Sequence, residues 1–377
     1  MLYWLFYERL FPSVGWARLF SYVTLRVALA SLTAMTICVV LGPWFINRLR
    51  QFQIGQFIRE EGPEWHQKKA GTPTMGGILI IISVIVPVLL FTNLANPYVW
   101  VAMFGMVSFG AIGFLDDYAK VVKKRNLGLT TARKFGLQLL AGLLIGVILI
   151  WMHSKGMYST GMSVPFFKQL TPDLLIHSLL GSPYTYPFAF VFFFAFLLFI
   201  LLGAVNGVNL TDGLDGLAIG LMIIAAGAMT VLTYVSSHRE FATYLDLQRL
   251  PRSAELTIFC GAMTGASLGF LWFNAHPAEV FMGDVGSLAL GGAIGTVAIL
   301  IKQEMLLPFI GGVYVLETIS VILQVASVRF RGRRLFLMSP LHHHFEHLGW
   351  EESKVVTRFY ILGLVMALFA LTTLKLR

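Results

Sequence analysis

The sequence predicts an all-α integral membrane protein that crosses the bilayer about ten times. The 377 residues are 57% hydrophobic and only 12% charged, whereas a soluble domain carries about 25% charged residues. The mean hydropathy is +0.76. Apolar stretches of about 20 residues, the length that a helix needs to cross the hydrocarbon core, recur along the chain. These observations exclude an ordinary soluble domain.

Ten helices account for the apolar stretches, and together they form one polytopic domain over residues 1–377. The predicted spans are 19–46, 75–93, 98–115, 135–152, 187–204, 213–235, 255–273, 286–302, 305–327 and 356–374. The first apolar segments contain charged residues and lack a small-residue cleavage site. They therefore predict a retained anchor and not a cleaved signal peptide. Both cysteines lie inside apolar spans, which is typical of packing residues.

The distribution of basic residues predicts the orientation of these spans. More than half of the 28 Lys and Arg residues lie in loops that share one side of the membrane, which are 47–74, 116–134, 205–212, 274–285 and 328–355. Because basic loops are retained in the cytoplasm, this side is cytoplasmic and both termini are periplasmic. The net charge of +9 indicates contact with anionic lipid headgroups and not with nucleic acid.

Three acidic clusters fall on the predicted cytoplasmic side. They contain five of the chain's seven aspartates, namely Asp116, Asp117, Asp212, Asp215 and Asp284. A carboxylate near hydrocarbon costs several kcal/mol unless it is paired, solvated or bound to a metal. We therefore expect the clusters to meet in one acidic, cation-binding pocket at the cytoplasmic ends of the spans.

Each cluster also has a simpler interpretation. Asn209, Asp212 and Asp215 would stack on one face of a helix, but the same residue types cap helix N-termini. Asp116 and Asp117 repel each other, so one of them holds a proton unless a cation lies between them. In the simpler interpretation they are a solvated pair whose charge nearby lysines balance. Asp284 lies in a glycine-rich stretch that suits a metal or phosphate ligand, and also a simple turn.

Basic and small residues on the same side favour a phosphorylated substrate. Lys69 and Thr74 precede the second span, and Lys134 opens the fourth. Gly76 and Gly77 would let a phosphate approach backbone N–H groups at a helix start. Oxygen ligands beside such residues suit Mg²⁺, which binds through a few carboxylates together with substrate phosphates. The sequence therefore predicts a Mg²⁺-dependent site that faces the cytoplasm.

Three consecutive histidines, His342, His343 and His344, follow Pro340. Consecutive residues cannot share one helix face, so a loop or a short helix start is expected. Zinc sites usually space their ligands differently. Hydrogen bonding to a sugar or a phosphate is the preferred role, and a basic surface patch is the alternative.

Taken together, these motifs resemble the polyprenyl-phosphate N-acetylhexosamine-1-phosphate transferases, and within them the bacterial phospho-N-acetylmuramoyl-pentapeptide transferases. The resemblance covers about residues 20–377. It rests on KKAGTPTMGG at 68–77, GFLDDYAK at 113–120, NLTDGLDGLA at 209–218, FNAHPAEVFMGDVGS at 273–287 and PLHHHFEHLGW at 340–350. The first 18 residues and the loops at 153–186 and 236–254 match nothing.

The resemblance implies a reaction. UDP-N-acetylmuramoyl-pentapeptide and undecaprenyl phosphate would give lipid I and UMP, the first membrane step of peptidoglycan synthesis and hence of cell wall biogenesis, in the bacterial inner membrane. It also implies ten transmembrane helices, a homodimer and Mg²⁺.

The resemblance further implies roles for single residues. Asp284 would be the Mg²⁺ ligand and Asp116 the base, and Asp117, Asp212 and Asp215 would complete the catalytic group. Substrate binding would fall to Lys69, Thr74, Lys120, Lys134, Asn209, Asn274, Phe281, Gln324, His342, His343 and His344. Direct attack by the lipid phosphate and a covalent aspartyl intermediate both remain open.

Two rival functions remain at this point. A related transferase could load N-acetylglucosamine-1-phosphate, although the AGTPTMGG and HHHFE motifs argue against it. A cation-coupled transporter would place acidic residues midway through its spans, whereas these lie at span ends.

Overall fold

A computed structural model describes residues 1–11, 13–51, 71–123, 128–165, 167, 171–175 and 186–375 of the chain. Over these residues the regular structure is helical, apart from isolated β-bridge positions such as the pair of Gly161 and Asp173. The all-α fold class predicted from composition is therefore confirmed.

Thirteen α-helices make up the described fold. Two short helical segments, Trp4–Leu10 and Gly15–Ser21, precede the first of them. In chain order the helices are α1 Val23–Gln51, α2 Gly77–Phe91, α3 Pro97–Lys123, α4 Thr131–Ser154, α5 Tyr186–Thr211, α6 Leu217–Ser237, α7 Arg239–Leu245, α8 Ala254–Asn274, α9 Gly283–Leu300, α10 Leu307–Ile310, α11 Gly312–Arg331, α12 Leu341–His347 and α13 Glu352–Thr372.

Nine of the described helices are long and apolar enough to cross a membrane, namely α1, α3, α4, α5, α6, α8, α9, α11 and α13. The tenth predicted span, 75–93, corresponds to α2, an apolar helix of only 15 residues. Each predicted span therefore has a helical counterpart, and the chain is a multi-pass membrane protein.

Two helices continue beyond their predicted ends. α3 was predicted to end at residue 115 and runs to Lys123, and α5 was predicted to end at 204 and runs to Thr211. A prediction from apolar residues alone ends each helix at its last apolar stretch. Both helices continue through polar residues, which neighbouring helices bind. The acidic pair of α3 and Asn209 of α5 consequently lie on helices, with fixed directions.

The predicted span 305–327 is not one continuous helix. It breaks at Gly311, which separates α10 from α11. A Cβ atom on Gly312 would collide with the side chain of Met366 in α13. That glycine therefore permits close contact between α11 and α13.

Helix α9 lies at the centre of the fold and is 89% buried. It packs mainly against α3 and α5, with further contacts to α2. Glycines allow this close packing: a Cβ on Gly291 would lie 2.6 Å from Cα of Val205 in α5. The N-terminus of α9 is therefore held in a fixed position between the ends of α3 and α5, which is where the candidate site lies.

Candidate active site

The last turns of α3 supply two carboxylates and one ammonium group on a common face. Lys120 lies four residues after Asp116 and three after Asp117, so that the three side chains are neighbours on the helix surface. Its Nζ atom is 2.7 Å from Oδ2 of Asp116 and 3.1 Å from Oδ1 of Asp117. Both aspartates are almost completely buried, with 3% and 2% exposure.

Asp284, at the start of α9, joins this group from the opposite side. Its Oδ2 atom is 2.8 Å from Nζ of Lys120 and 2.8 Å from Nζ of Lys134, in the first turn of α4. Its Oδ1 atom accepts a hydrogen bond of 2.7 Å from Nδ2 of Asn209 in α5. Asn209 also donates to Oγ of Ser287, one turn along α9. Four helices therefore converge on Asp284.

Backbone groups fix the two carboxylates of α3 still further. The N–H of Leu129, just before α4, donates to Oδ1 of Asp116 at 2.8 Å, and the N–H of Val285 donates to Oδ2 of Asp117 at 3.1 Å. Gly283 has a φ of +69°, and a Cβ there would lie 2.5 Å from Oδ2 of Asp117. Only glycine fits this position without strain.

The cluster of Asp116, Asp117 and Asp284, called here the acidic cluster, has the donor set of a hard-metal site. One carboxylate oxygen from each residue lies within 4.8 Å of the others. The ammonium group of Lys120 contacts all three carboxylates, so the cluster already holds one positive charge. Carboxylate oxygens without sulfur or imidazole suit Mg²⁺ better than a softer metal. The acidic cluster could therefore hold a divalent cation.

The AGTPTMGG segment borders the acidic cluster through its backbone. The N–H groups of Gly76 and Gly77 donate to the carbonyl oxygens of Phe281 and Met282, and the N–H of Phe281 donates to Pro73. The N–H groups of Gly76 and Gly77 are therefore already bonded within the protein, and the approach of a phosphate to backbone N–H groups at this helix start stays a prediction. Gly77 also allows α2 to touch the backbone of Gly286 in α9.

Thr74 lies beside the cluster, where a Cβ on Gly283 would be 2.8 Å from its Oγ1 atom. Phe281 is half-buried and pairs through its backbone with the AGTPTMGG segment. Lys69, the third residue predicted for this region, lies outside the described residues.

The NLTDGLDG motif departs from the predicted continuous helix. α5 ends at Thr211, and the next five residues form turns in which Gly216 adopts a φ of +79°. Asn209, Asp212 and Asp215 therefore do not stack on one helix face, because the helix ends at Thr211, before both aspartates. Burial, together with the charges of Asp284 and Asp117, raises the pKa of Asp212 to about 8. Asp212 therefore lies near enough to the acidic cluster to interact with its charges.

Asp215 belongs to a second group of side chains. Its Oδ2 atom is 3.1 Å from Nδ1 of His276 and accepts a hydrogen bond from the N–H of Ala278. Its backbone N–H donates to Oε1 of Glu352 at the start of α13. The placement of Asp215 in the same pocket as Asp284 stays a prediction, and the contacts described for its carboxylate are with His276 and Ala278.

Neither Glu352 nor His276 was singled out from the sequence. His276 lies in the motif at 273–287 and Glu352 follows the motif at 340–350, but 137 residues separate Glu352 from Asp215. A single sequence carries no signal that pairs positions so far apart.

Asn274 and Gln324 make structural hydrogen bonds. Asn274 is buried, donates to the carbonyl of Val280 and accepts from the N–H of Gly216. Gln324 of α11 bonds to the backbone of Leu335 and Phe336 and so fixes the segment that follows its helix.

The three histidines lie in α12, which agrees with the predicted short helix start, and they face different surroundings. His342 is fully buried, and its Nδ1 atom is 3.2 Å from Oε1 of the buried Glu317. His343 is 2.8 Å from Oε2 of Glu346. Nδ1 of His344 accepts from the N–H of Leu337. Burial removes His342 from any surface patch, and His343 and His344 remain partly exposed.

Comparisons with known proteins agree with this arrangement. Residues 99–302 match the model of glycosyl transferase family 4, and residues 69–81 match the phospho-N-acetylmuramoyl-pentapeptide-transferase signature 1. Proteins named phospho-N-acetylmuramoyl-pentapeptide-transferase in Solibacter usitatus and Koribacter versatilis are each 61% identical to this chain. The protein of that name in Acidobacterium capsulatum is 62% identical. All three alignments cover 100% of both chains. The chain therefore belongs to glycosyl transferase family 4 and, within it, to the phospho-N-acetylmuramoyl-pentapeptide-transferases.

Proposed function

We propose that the protein transfers phospho-N-acetylmuramoyl-pentapeptide from its UDP derivative to undecaprenyl phosphate, giving lipid I and UMP. The observation that carries this proposal is the acidic cluster, held with Lys120 and Lys134 at the ends of membrane-crossing helices. A charged site at the end of apolar helices suits a reaction between a water-soluble nucleotide sugar and a membrane lipid. The names of the relatives support the same reaction.

The reaction exchanges one phosphorus–oxygen bond for another. An oxygen of the lipid phosphate forms a bond to the sugar-bearing phosphorus, and the bond from that phosphorus to UMP breaks. Catalysis of this type rests on positioning and on the stabilisation of negative charge. The ammonium groups of Lys120 and Lys134 are suited to hold phosphate oxygens, because they place positive charge at the acidic cluster. Each Nζ atom is 2.8 Å from Oδ2 of Asp284. Asp116 is assigned the removal of a proton from the lipid phosphate, or its orientation.

We assign Mg²⁺ to Asp284, with Asp116 and Asp117 close enough to contribute. The fit rests on the three carboxylates, each of which has an oxygen within 4.8 Å of the others. Mg²⁺ bound there would neutralise charge on the pyrophosphate and on the departing UMP. Asn209 keeps the Asp284 carboxylate in place through Oδ1, so that its other oxygen is directed towards the lysines.

The site is proposed to face the cytoplasm, with both termini in the periplasm. The lipid phosphate would reach the acidic cluster while its polyprenyl tail stays in the hydrocarbon, since each buried CH₂ contributes about 0.8 kcal/mol. The remaining proposed substrate ligands are Lys69, Thr74, Asn274, Phe281, Gln324, His342, His343 and His344. A homodimer is also proposed.

The choice of donor tests this function against its nearest rival. The purified protein is incubated with undecaprenyl phosphate, Mg²⁺ and either UDP-N-acetylmuramoyl-pentapeptide or UDP-N-acetylglucosamine, and lipid-linked product is measured. We expect product with the first donor only. Product with UDP-N-acetylglucosamine alone would assign the chain to the other branch of the superfamily.

A further inference from the structure

Glu352 connects the last membrane helix to the turns that carry Asp212 and Asp215. Its Oε1 atom accepts a hydrogen bond of 2.8 Å from the backbone N–H of Asp215. Its Oε2 atom is 3.5 Å from Nδ1 of His276. The same imidazole nitrogen is 3.1 Å from the Asp215 carboxylate. The carboxylate of Glu352 therefore contacts both the backbone of Asp215 and the imidazole that lies beside the Asp215 side chain.

The segment 212–216 makes local turn hydrogen bonds and is also held by residues of other helices. The N–H of Gly216 donates to Asn274, and its carbonyl accepts from the hydroxyl of Tyr360 in α13. On the opposite side, a Cβ on Gly213 would collide with the buried ring of His342. Because the segment is not helical, tertiary contacts join its local turn hydrogen bonds in determining where Asp212 lies.

The position of this segment matters to the acidic cluster. Asn209, which bonds Oδ1 of Asp284, is in the last turn of α5, directly before the segment. Asp212 lies close enough to Asp284 and Asp117 to interact with their charges. A shift of the segment would therefore move the Asp212 carboxylate. It would also loosen the end of α5, where Asn209 orients Asp284.

We propose that Glu352 is a positioning residue for the transferase reaction, which holds the segment 212–216 so that Asp212 and Asn209 face the acidic cluster. This inference rests on the proposed function. A carboxylate that accepts from a backbone N–H makes a charge-assisted hydrogen bond, which is stronger than a neutral one. The contacts of Glu352 that carry this inference are with the backbone of Asp215 and the ring of His276, so we assign its effect on the chemistry to the segment.

The simpler role for Glu352 is stabilisation of α13. An acidic residue in the first turn of a helix interacts favourably with the helix dipole. The adjacent Glu351 provides a matched control, because it is exposed and lies at the N-cap of the same helix. Both substitutions Glu351→Ala and Glu352→Ala remove one negative charge from this helix end. Only the second removes an acceptor from Asp215.

The test compares Glu352→Ala, Glu352→Gln and Glu351→Ala in the purified full-length protein. UMP release is measured while each substrate is varied in turn. We expect Glu352→Ala to lower kcat by about 10- to 50-fold with both KM values within about threefold, since alignment is lost and not the binding groups. Glu352→Gln keeps an acceptor for the N–H and should recover most of the activity. Glu351→Ala should retain the parent kcat.

Hydrogen–deuterium exchange over residues 205–220 provides a second readout that does not depend on turnover. Glu352→Ala should increase exchange in this stretch, and Glu351→Ala should not. Unchanged exchange in Glu352→Ala, or equal losses of kcat in the two alanine variants, would overturn the positioning role. If Glu352→Ala does not fold, Glu352→Asp replaces it, because one methylene fewer withdraws the acceptor while keeping the charge. A parent protein that releases no UMP would contradict the proposed function, while the exchange data would still decide the role of Glu352.

Discussion

The Nζ atom of Lys120 lies 2.8 Å from Oδ2 of Asp284, although 164 residues separate them in the chain. The same atom contacts Asp116 and Asp117, so one ammonium group is shared among three carboxylates. This contact joins the end of α3 to the start of α9. It also occupies the position where a cation would reduce the repulsion among the three carboxylates.

Loss of charge in the acidic cluster should abolish turnover without unfolding the protein. Asp284→Asn and Asp116→Asn keep the side-chain shape and remove a metal ligand or a base. Each should lower kcat by at least about 100-fold, which is typical for such groups. The exposed Asp246, far from the cluster along the chain, provides the control as Asp246→Asn. UMP release is the measurement, and near-parent turnover in either cluster variant would remove its assigned role.

Gly283→Ala should damage both stability and activity. The residue has a φ of +69°, and a Cβ would lie 2.5 Å from Oδ2 of Asp117 and 2.8 Å from Oγ1 of Thr74. We expect destabilisation of about 1–3 kcal/mol from the backbone conformation, together with a displaced Asp117. Gly136→Ala in α4 is the matched control, because its Cβ would meet no atom within 4 Å. Thermal unfolding measures the difference, and equal melting temperatures would contradict this account of Gly283.

Two buried ionisable side chains, Lys302 and Glu304, follow the C-terminal end of α9 and should make the stability of the protein depend on pH. Lys302 is 1% exposed, with Nζ 3.4 Å from the centre of the Tyr158 ring. Burial lowers its pKa from 10.5 to about 7. Burial also raises the pKa of the neighbouring Glu304 from 4.5 to about 7. Each shift disfavours the charged form inside the folded protein.

The two shifts act over different pH ranges. The folded state binds fewer protons than the unfolded state at Lys302 between pH 7 and 10.5, so this contribution to stability is lost as pH falls to 7. At Glu304 the folded state binds more protons between pH 4.5 and 7, so its contribution is lost as pH rises to 7.

Single substitutions separate these two contributions. Relative to the parent, Lys302→Met should shift Tm more favourably at a pH of about 6 than at about 9, and Glu304→Gln more favourably at about 8 than at about 5. Lys155→Met, at an exposed lysine, is the control. Shifts of Tm that do not vary with pH would show that these side chains do not titrate as described.

The orientation of the chain can be tested with reporter fusions. The distribution of Lys and Arg predicts a periplasmic signal for a fusion after Arg377 and a cytoplasmic signal for one near Lys124. The acidic cluster lies at the helix ends next to the predicted loop 116–134, which contains Lys124. Reversed signals would place the cluster on the side away from the nucleotide sugar, and the proposed reaction would then be excluded.

Composition and span length predicted most of the fold, because both follow from the hydrocarbon thickness that every span must match. They placed the ends of α3 and α5 too early. Polar residues at a helix end do not reveal in one sequence whether a neighbouring helix will pair with them. Such pairing is what extends α3 past Asp117.

The candidate site was predictable where its residues carry unusual chemistry for a membrane protein. The structure brings together Asp116, Asp117, Asp284, Lys120 and Lys134, all of which the sequence marked as site residues. The direction of Asp215 was not predictable, because the helix that a three-residue spacing suggests ends at Thr211 and turns follow it. The part played by Glu352 was also not predictable, since it depends on a contact between distant segments.

The most direct test of the central claim is UMP release by the purified protein in the presence of both substrates. With UDP-N-acetylmuramoyl-pentapeptide, undecaprenyl phosphate and Mg²⁺, we expect UMP and lipid-linked sugar in equal amounts. Release should stop with EDTA and resume when Mg²⁺ is restored. UMP formation that continues in EDTA, or no UMP from a folded protein supplied with both substrates and Mg²⁺, would contradict the assignment of the acidic cluster as a Mg²⁺-dependent transferase site.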